Sequence, residues 1–296
     1  MLATDGSEYS ENAARFLNRM AWRGDDSIIV LHVIFAVPFH EDRKFYYETL
    51  QAIKKECAPR ILDTITDILK PVNATVSEEI LEGALYECTP EHCIVTAADK
   101  AAVDVIALGG RGLKGFTSAL LGSVSRSVAA NSTKPVLIVK HQPEPSQNGM
   151  KVLYAVDDSE YSGVTGRVLR LFPLPDTAQI TIMNVIPSGF LDIPERYVPE
   201  EDVRIKDAVV HIREKEYARS ARILEQARTD LAGRFGRIDI LNRVGDASQE
   251  ILKAAESMHA DLLVIGSRGE RKLRSHLGSV SRNVLNHARC PVLICR

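Results

Sequence analysis

Short apolar runs alternate along the chain with longer segments in which apolar positions recur every three or four residues. In the second half, KVLYAV, AQITIMNVI, RIDILNRV, ADLLVIG and PVLIC have the composition of buried strands. KDAVVHIREKEYARSARILEQARTDLAG and SQEILKAAESMHA, which lie between them, have the spacing of helices with a solvated charged face. Strands separated by helices predict βαβ units with right-handed crossovers and a parallel sheet covered on both faces.

Three segments of the first half recur in the same order in the second half. ATDGSEYS returns as AVDDSEYS, VDVIALGGRG as ADLLVIGSRG, and LGSVSRSVAANSTKPVLIVK as LGSVSRNVLNHARCPVLICR, at offsets of 152 to 157 residues. An offset of this length indicates a duplicated domain rather than a solenoid. We therefore predict one domain over residues 1–140, a polar linker over 141–149 and a second domain over 150–296.

Each predicted domain is a three-layer α/β unit with a five-stranded parallel sheet and helices on both faces. If the strand order is 3-2-1-4-5, ligands bind at the carboxyl ends of the first and fourth strands, where the order reverses. Asp5, Gly6 and Ser7 follow the first strand, and a glycine-rich loop that starts at Gly109 follows the fourth. These two segments are expected to converge on one crevice.

One interpretation of the glycine loop is the G-x-G-x-x-G pattern of a dinucleotide-binding site, formed by Gly110, Gly112 and Gly115. Such a loop should follow the first strand of its domain, whereas this one follows the fourth. The second copy has Ser267 and Lys272 in place of Gly110 and Gly115. Both observations argue against a dinucleotide fingerprint.

The second interpretation is G-x₂-G, nine residues, then G-S, formed by Gly109, Gly112, Gly122 and Ser123. Glycines let the backbone turn sharply and approach a ligand, and a helix with Ser123 at or near its N-cap offers amide groups to a phosphate. Hydroxyl groups of Ser123 and Ser125 would add donors. The alternative is a tight turn followed by an ordinary helix cap.

Composition narrows the class of protein. Apolar residues make up 45% of the chain and charged residues 26%, as in soluble globular proteins, and the formal net charge is −2. No global basic field favours a nucleic-acid or membrane partner. No apolar run is long enough to span a bilayer and the first residues lack a signal-peptide layout, so we expect a cytoplasmic protein.

The cysteines and histidines do not predict a metal or catalytic site. Five cysteines are an odd number, which favours reduced thiols, and the two ends of CPVLIC point to opposite faces of a strand. His32 and His276 lie nearest the crevice, and a structural role is the favoured interpretation of both. No catalytic residue is predicted, and slow hydrolysis is kept as an alternative.

Each half resembles a universal stress protein domain, and the whole chain resembles the tandem form of that family. The first half carries ATDGSEYSENA, VLHVI, GGRGLKGFTSALLGS and KPVLIVK, and the second carries AVDDSEYS, IMNVI, GSRGERKLRSHLGS and CPVLIC. The first half meets in full the signature G-x₂-G-x₉-G-[ST] of the ATP-binding branch. The resemblance implies an ATP-binding stress regulator, with Mg²⁺ or Mn²⁺ carried by the nucleotide. A slow ATPase and a nucleotide-free scaffold remain alternatives.

The same resemblance implies roles for particular residues. Asp5 and Val33 should line the adenine and ribose side, Leu108–Gly112 should contact the ribose and α-phosphate, and Gly122–Ser125 the outer phosphates. The two fifth strands are expected to pair within the chain, and a homodimer is possible. The implied binding residues are Ala3, Asp5, Val33, Leu108, Gly109, Gly112, Gly122, Ser123, Val124 and Ser125 in the first domain and Asp157, Val185, Ile265, Gly266, Gly269, Gly278, Ser279, Val280 and Ser281 in the second.

The second half departs from the signature, which leaves its nucleotide binding open. Its spacer ERKLRSHL has eight residues rather than nine, and Asp158 replaces Gly6. A carboxylate facing the crevice would repel phosphate, although Arg268, Arg271, Lys272 and Arg274 offer positive charge. The first half has a different weakness, because only ML precedes Ala3: either the true start lies upstream or this strand frays.

Overall fold

A computed structural model describes residues 1–35, 44–83, 89–112, 121–141, 149–189, 203–269 and 277–296. They group into two compact units. The first unit is drawn from residues 1–144, 173–175 and 289–296, and the second from 145–172 and 176–288. Residues 289–296, at the end of the second repeat, belong to the first compact unit. The domain boundaries predicted from the sequence therefore remain a prediction.

The described residues of the first unit alternate strands and helices. The elements are β1 (Leu2–Thr4), α1 (Glu8–Leu17), β2 (Ser27–Phe35), α2 (Lys44–Leu69), β3 (Thr75–Gly83), α3 (Pro90–Lys100), β4 (Ile106–Gly109), α4 (Ser123–Asn131) and β5 (Val136–Val139). The parallel strands have the order β3-β2-β1-β4-β5, as predicted.

The second unit repeats this arrangement. The elements are β6 (Lys151–Val156), α5 (Glu160–Leu171), β7 (Gln179–Pro187), α6 (Val203–Leu231), β8 (Arg237–Gly245), α7 (Ala247–Ser257), β9 (Leu262–Gly266) and α8 (Ser279–His287). The parallel strands have the order β8-β7-β6-β9, which corresponds to β3-β2-β1-β4 of the first repeat. The α/β class and the tandem arrangement predicted from the sequence are confirmed.

The last strand, β10 (Val292–Cys295), belongs to the first unit. It pairs antiparallel with β5, with Val292 opposite Ile138. The following Arg296 donates to the carbonyl groups of Ala129 and Ala130 at 2.5 and 2.6 Å. The two fifth strands therefore pair with each other, and β5 does not present a bare edge on that side.

Packing explains why the central strands are apolar throughout. Every residue of β4, β5, β9 and β10 is buried. In the second unit α5 packs against α6 and α7 against α8, which places one helix pair on each face of the sheet. In the first unit α1 packs against α2 and α3 against α4 in the same way. The carboxyl ends of the strands are therefore flanked by helix ends from both faces.

The short first strand is held on both sides. Leu2 and Ala3 pair with β2 and with β4, and the Ala107 amide donates to the Met1 carbonyl oxygen at 2.8 Å. The Met1 amino nitrogen donates to the Val105 carbonyl oxygen at 3.0 Å. Pairing with a strand on each side fixes the position of Asp5, which follows the first strand.

Candidate functional site

A cavity of about 450 Å³ lies at the carboxyl ends of β6, β7 and β9 in the second unit. Its size is within the range of small-molecule sites. All nine residues that the sequence assigns to the second site lie in its wall. They are Asp157, Val185, Ile265, Gly266, Gly269, Gly278, Ser279, Val280 and Ser281.

The carboxylate of Asp157 is fixed by the first turn of α5. Its Oδ1 accepts hydrogen bonds from the Ser159 amide at 3.1 Å, the Ser159 hydroxyl at 2.5 Å and the Ser162 hydroxyl at 2.8 Å. Its Oδ2 faces Gly269, where a β-carbon would lie only 2.8 Å away. A glycine at this position therefore lets the carboxylate and the loop backbone meet in the cavity wall.

The loop after β9 is clamped to the start of α8. The Gly278 amide donates to the Ser267 carbonyl oxygen at 2.9 Å, and the Ser281 hydroxyl donates to the Gly266 carbonyl oxygen at 2.7 Å. Gly278 is the N-cap of α8, and no side chain caps the helix. The first amide groups of α8 thus lack both intrahelical acceptors and a cap, which makes this end of the cavity attractive to an anion.

An arginine and a tyrosine pack together beside the loop in each repeat. The Arg268 guanidinium lies 5.7 Å from the centre of the Tyr161 ring, and its Nη1 donates to the tyrosine hydroxyl at 3.0 Å. Arg111 and Tyr9 have the same arrangement in the first unit, at 5.7 and 3.4 Å. Both arginines are held by cation–π contact next to the glycine turn.

The first unit places its predicted residues in the same positions. The Ser7 amide donates to Asp5 Oδ1 at 3.1 Å, and a β-carbon on Gly112 would overlap Asp5 Oδ2. The Gly122 amide donates to the Gly110 carbonyl oxygen at 2.9 Å. Ala3, Val33 and Leu108 lie in β1, β2 and β4, and Val124 and Ser125 lie in the first turn of α4. Residues 36–43 and 113–120 lie outside the described residues.

Ser123 lies next to the N-cap of its helix, which agrees with the prediction that it is at or near that position. Gly122 is the N-cap of α4, and Ser123 is the first helical residue. The Ser125 hydroxyl donates to the Gly109 carbonyl oxygen at 2.7 Å, so it is engaged in holding the loop. This leaves backbone amide groups as the main donors at this end of the site.

Gly109 has a packing role that its motif position does not reveal. A β-carbon there would lie 2.6 Å from the backbone carbon of Tyr9 and 2.7 Å from the Ser10 nitrogen. The glycine is therefore required for α1 to pack against the end of β4. The second signature glycine, Gly112, lies against the Asp5 carboxylate instead.

Asp158, the residue expected to repel phosphate, is paired with two arginines of α6. Its Oδ2 accepts hydrogen bonds from Arg219 Nε at 3.1 Å and Arg222 Nη2 at 2.8 Å. Partial burial raises the pKa of Asp158, but the hydrogen bonds and charges of Arg219 and Arg222 outweigh it and hold the pKa below its usual value. The carboxylate is thus ionised and its charge is balanced. Arg271, Lys272 and Arg274 lie outside the described residues.

His32 is a structural residue. It is buried in β2, and its Nδ1 lies 2.9 Å from the Thr4 carbonyl oxygen. At the matching position of the second repeat, Asn184 Nδ2 donates to the Val156 carbonyl oxygen at 2.8 Å. Because an amide replaces the imidazole in the same bond, the bond does not depend on the acid–base chemistry of a histidine. His276 lies outside the described residues.

One wall of the cavity was not predicted. Glu216, Arg219, Ser220 and Ile223 of α6 line it, at the spacing of one helical face. The available signal was the alignment of ARSARILE in α6 with ECAPRILD in α2, which places Ser220 opposite Ala58. Ser220 is 1% exposed, and its hydroxyl has no hydrogen-bond partner among the described residues.

The described residues contain no cluster of three or more His, Cys, Asp or Glu side chains that could hold a metal ion, and no helix long and apolar enough to cross a membrane. Cys57, Cys290 and Cys295 are thiols. Cys93 is disulfide-bonded, so the expectation of reduced thiols does not hold for this residue. Cys88 lies outside the described residues.

Comparison with known proteins identifies the class to which this fold and crevice belong. The profile of the universal stress protein family matches residues 1–140 and again residues 150–296. The chain therefore belongs to the universal stress protein family and has its tandem form, which confirms the resemblance seen in the sequence.

Individual relatives agree with this assignment. The chain is 25% identical to a universal stress protein of Mycobacterium tuberculosis over 311 residues, which cover 100% of this chain and 94% of the relative. It is 30% identical to a universal stress protein of Methanocaldococcus jannaschii over 141 residues, 47% of this chain and 80% of the relative. A crystal structure of a universal stress protein from Archaeoglobus fulgidus matches the fold with a TM-score of 0.61 at 23% identity, over 100% of this chain and 94% of that one.

Proposed function

We propose that this protein binds ATP in the crevice after the first and fourth strands of each repeat, and that it acts as a cytoplasmic stress regulator rather than as an efficient enzyme. The observation that carries the proposal is the convergence of all nine predicted residues of the second repeat on one cavity. The first unit supports it, because Asp5 and Gly112 repeat the contact of Asp157 and Gly269.

The residues of the cavity fit an adenine nucleotide. The uncapped first turn of α8, from Gly278 to Ser281, offers amide donors to phosphate oxygens. The Asp157 carboxylate, whose Oδ2 faces Gly269 in the cavity wall, is placed to accept a hydrogen bond from a ribose hydroxyl or a base amine. Val185 and Ile265 supply apolar surface for a flat ring. A divalent cation, Mg²⁺ or Mn²⁺, would enter with the nucleotide and neutralise its phosphates.

The chemistry of the site favours holding a nucleotide over cleaving it. Efficient phosphoryl transfer needs a group that orients an attacking water or acceptor. His32 is occupied with the Thr4 carbonyl, and the Asp157 Oδ1 atom is occupied with Ser159 and Ser162. We therefore assign the carboxylates of Asp5 and Asp157, together with the glycine turns, to positioning the nucleotide.

The proposal is tested on protein purified without added nucleotide. After denaturation, the supernatant should contain adenine nucleotide, mostly ATP, and titration of stripped protein with Mg-ATP should give up to two sites per chain. Gly112→Val and Gly269→Val should each remove one site without unfolding the protein. Folded protein that carries no nucleotide and gives no heat on titration with Mg-ATP would contradict the proposal and favour a nucleotide-free scaffold. Metal-dependent phosphate release that is lost in Asp5→Ala or Asp157→Ala would instead establish the slow ATPase.

A further inference from the structure

The α6 wall of the second cavity differs in chemistry from the corresponding face of α2. The aligned segments ARSARILE and ECAPRILD place Arg219 opposite Cys57 and Ser220 opposite Ala58. The alignment agrees with the packing, because Leu224 and Leu62, at matching positions, are both buried. Glu216 stands opposite Lys54 in the same alignment. Two repeats that share the three motif glycines thus present different side chains at this helix.

Ser220 is the unusual member of this wall. Ala58, at the matching position, is completely buried and contributes only a methyl group to the core. Ser220 is equally buried and lines the cavity, but its hydroxyl has no hydrogen-bond partner among the described residues. A buried hydroxyl without a partner is costly, and alanine would fill the same space. The fold therefore gives no reason for a serine here, whereas a ligand in the cavity would.

The position of α6 indicates which part of a ligand Ser220 meets. α6 packs on the face of the sheet that carries α5, whereas α8, with its uncapped amide groups, packs with α7 on the other face. Both helices line the same cavity. A ligand whose phosphates lie on the α8 amides therefore meets α6 with another of its groups. Arg219 offers no unbalanced charge there, because it pairs with Asp158.

We propose that Ser220 forms a hydrogen bond with the nucleoside part of the ligand in the second site, and so makes that site more selective for the nucleoside than the first. This inference rests on the proposed nucleotide binding. The partner on the ligand is a neutral polar group, either a ribose hydroxyl or a polar edge atom of the base. Ala58 makes the same bond impossible in the first unit.

The test uses the full chain with Gly112→Val, which closes the first site, and compares it with the same chain carrying Ser220→Ala. Loss of one hydrogen bond should weaken Mg-ATP binding roughly fivefold. Binding of inorganic triphosphate, which has no nucleoside, should not change. The melting temperature without ligand should not fall, because alanine removes an unpartnered hydroxyl and repeats the residue of the first unit. Thr229→Ala, on the same helix outside the cavity wall, is the matched control and should leave Mg-ATP affinity unchanged.

2′-Deoxy-ATP identifies the partner atom. If the bond goes to the ribose 2′-hydroxyl, Ser220→Ala should not weaken 2′-deoxy-ATP binding, and if it goes elsewhere on the nucleoside the fivefold loss should persist. Equal Mg-ATP affinity of the two chains, or an equal loss for inorganic triphosphate, would overturn the role of Ser220. Failure of the Gly112→Val chain to bind Mg-ATP at all would instead contradict nucleotide binding by the second site.

Discussion

The carboxylate of Asp157 lies so close to Gly269 that a β-carbon on that residue would stand 2.8 Å from Oδ2. Asp5 and Gly112 have the same relationship in the first unit. The aspartate follows the first strand of each repeat and the glycine follows the fourth, so this contact joins the two segments that border the crevice. The second glycine of G-x₂-G therefore leaves room for a carboxylate, in addition to any ligand.

Gly269→Ala should weaken nucleotide binding at the second site by roughly tenfold or more. The new methyl group displaces the Asp157 carboxylate, whose Oδ1 is held by Ser159 and Ser162, and shifts either the carboxylate or the loop. Isothermal titration should show one site with reduced affinity while the other keeps its own. Gly236→Ala is the control, because no atom lies within 4 Å of its β-carbon. Unchanged affinity at both sites would show that the contact does not shape the binding surface.

The first glycines of the two signatures should differ in their effect on stability. Gly109→Ala places a methyl group 2.6 Å from the Tyr9 backbone, which cannot move without displacing α1, whereas the nearest atom at Gly266 is Tyr161 Cβ at 3.2 Å. We expect Gly109→Ala to lower the free energy of unfolding by about 3 kcal/mol, and Gly266→Ala by about 1 kcal/mol or less. Hydrogen exchange, measured separately for the amides of each unit, gives the loss of unfolding free energy in each variant. Equal losses would contradict the packing role assigned to Gly109.

This difference marks the limit of what the sequence could reveal. Both glycines occupy the same motif position, and a motif cannot distinguish a glycine needed for helix packing from one needed for ligand approach. The strands and the crevice were predictable because the strands depend on local pattern and the crevice depends on topology. Ser220 was not, because the rotation of α6 on the sheet depends on packing between distant segments.

Asp158 presents a similar case, since the sequence located the charge but not its partners. Its side chain is 33% exposed and bound to Arg219 and Arg222, which come from a helix some sixty residues further along the chain. Local sequence indicates a carboxylate near the crevice, whereas the ion pairs depend on how α6 docks. The expected repulsion of phosphate is therefore balanced in the folded protein.

Asp158→Asn should strengthen anion binding at the second site and make it more dependent on salt. The substitution removes a negative charge that pairs with Arg219, a residue of the cavity wall, and with Arg222 on the same helix, so the potential at the cavity becomes more positive. Because these ion pairs are partly exposed, the loss of stability should stay below about 1 kcal/mol. Mg-ATP affinity of the chain with Gly112→Val, measured at low and high ionic strength, checks the expectation.

A matched control is Asp176→Asn, which breaks the ion pair between Asp176 and Arg234 outside the cavity wall. It should change neither the affinity nor its salt dependence. Weaker Mg-ATP binding by the Asp158→Asn chain would mean that this carboxylate supports the ligand rather than balancing the arginines.

Lys140 should make the first unit more stable as the pH rises from about 8 to about 10.5. Burial lowers the pKa of Lys140 from 10.5 to about 8; a negative charge on Cys290 opposes this, and Arg111 lowers the pKa further. Between these two values the unfolded chain binds more protons at this residue than the folded chain does. The contribution of Lys140 to the free energy of unfolding therefore rises with pH in this window. Below pH 8 the folded protein bears the full cost of burying the charged ammonium group.

Lys140→Met isolates this effect from other groups that titrate in the same range. Methionine keeps the apolar stem, whose Cγ lies 2.5 Å from the place that a β-carbon on Gly110 would occupy, and removes the ammonium group. The difference in unfolding free energy between Lys140→Met and the unchanged protein should be largest below pH 8 and should shrink steadily above it. Chemical denaturation at a series of pH values, with hydrogen exchange of the β5 amides as the readout of unfolding, measures this difference. A gap that stays constant with pH would show that Lys140 keeps its ordinary pKa in the folded protein.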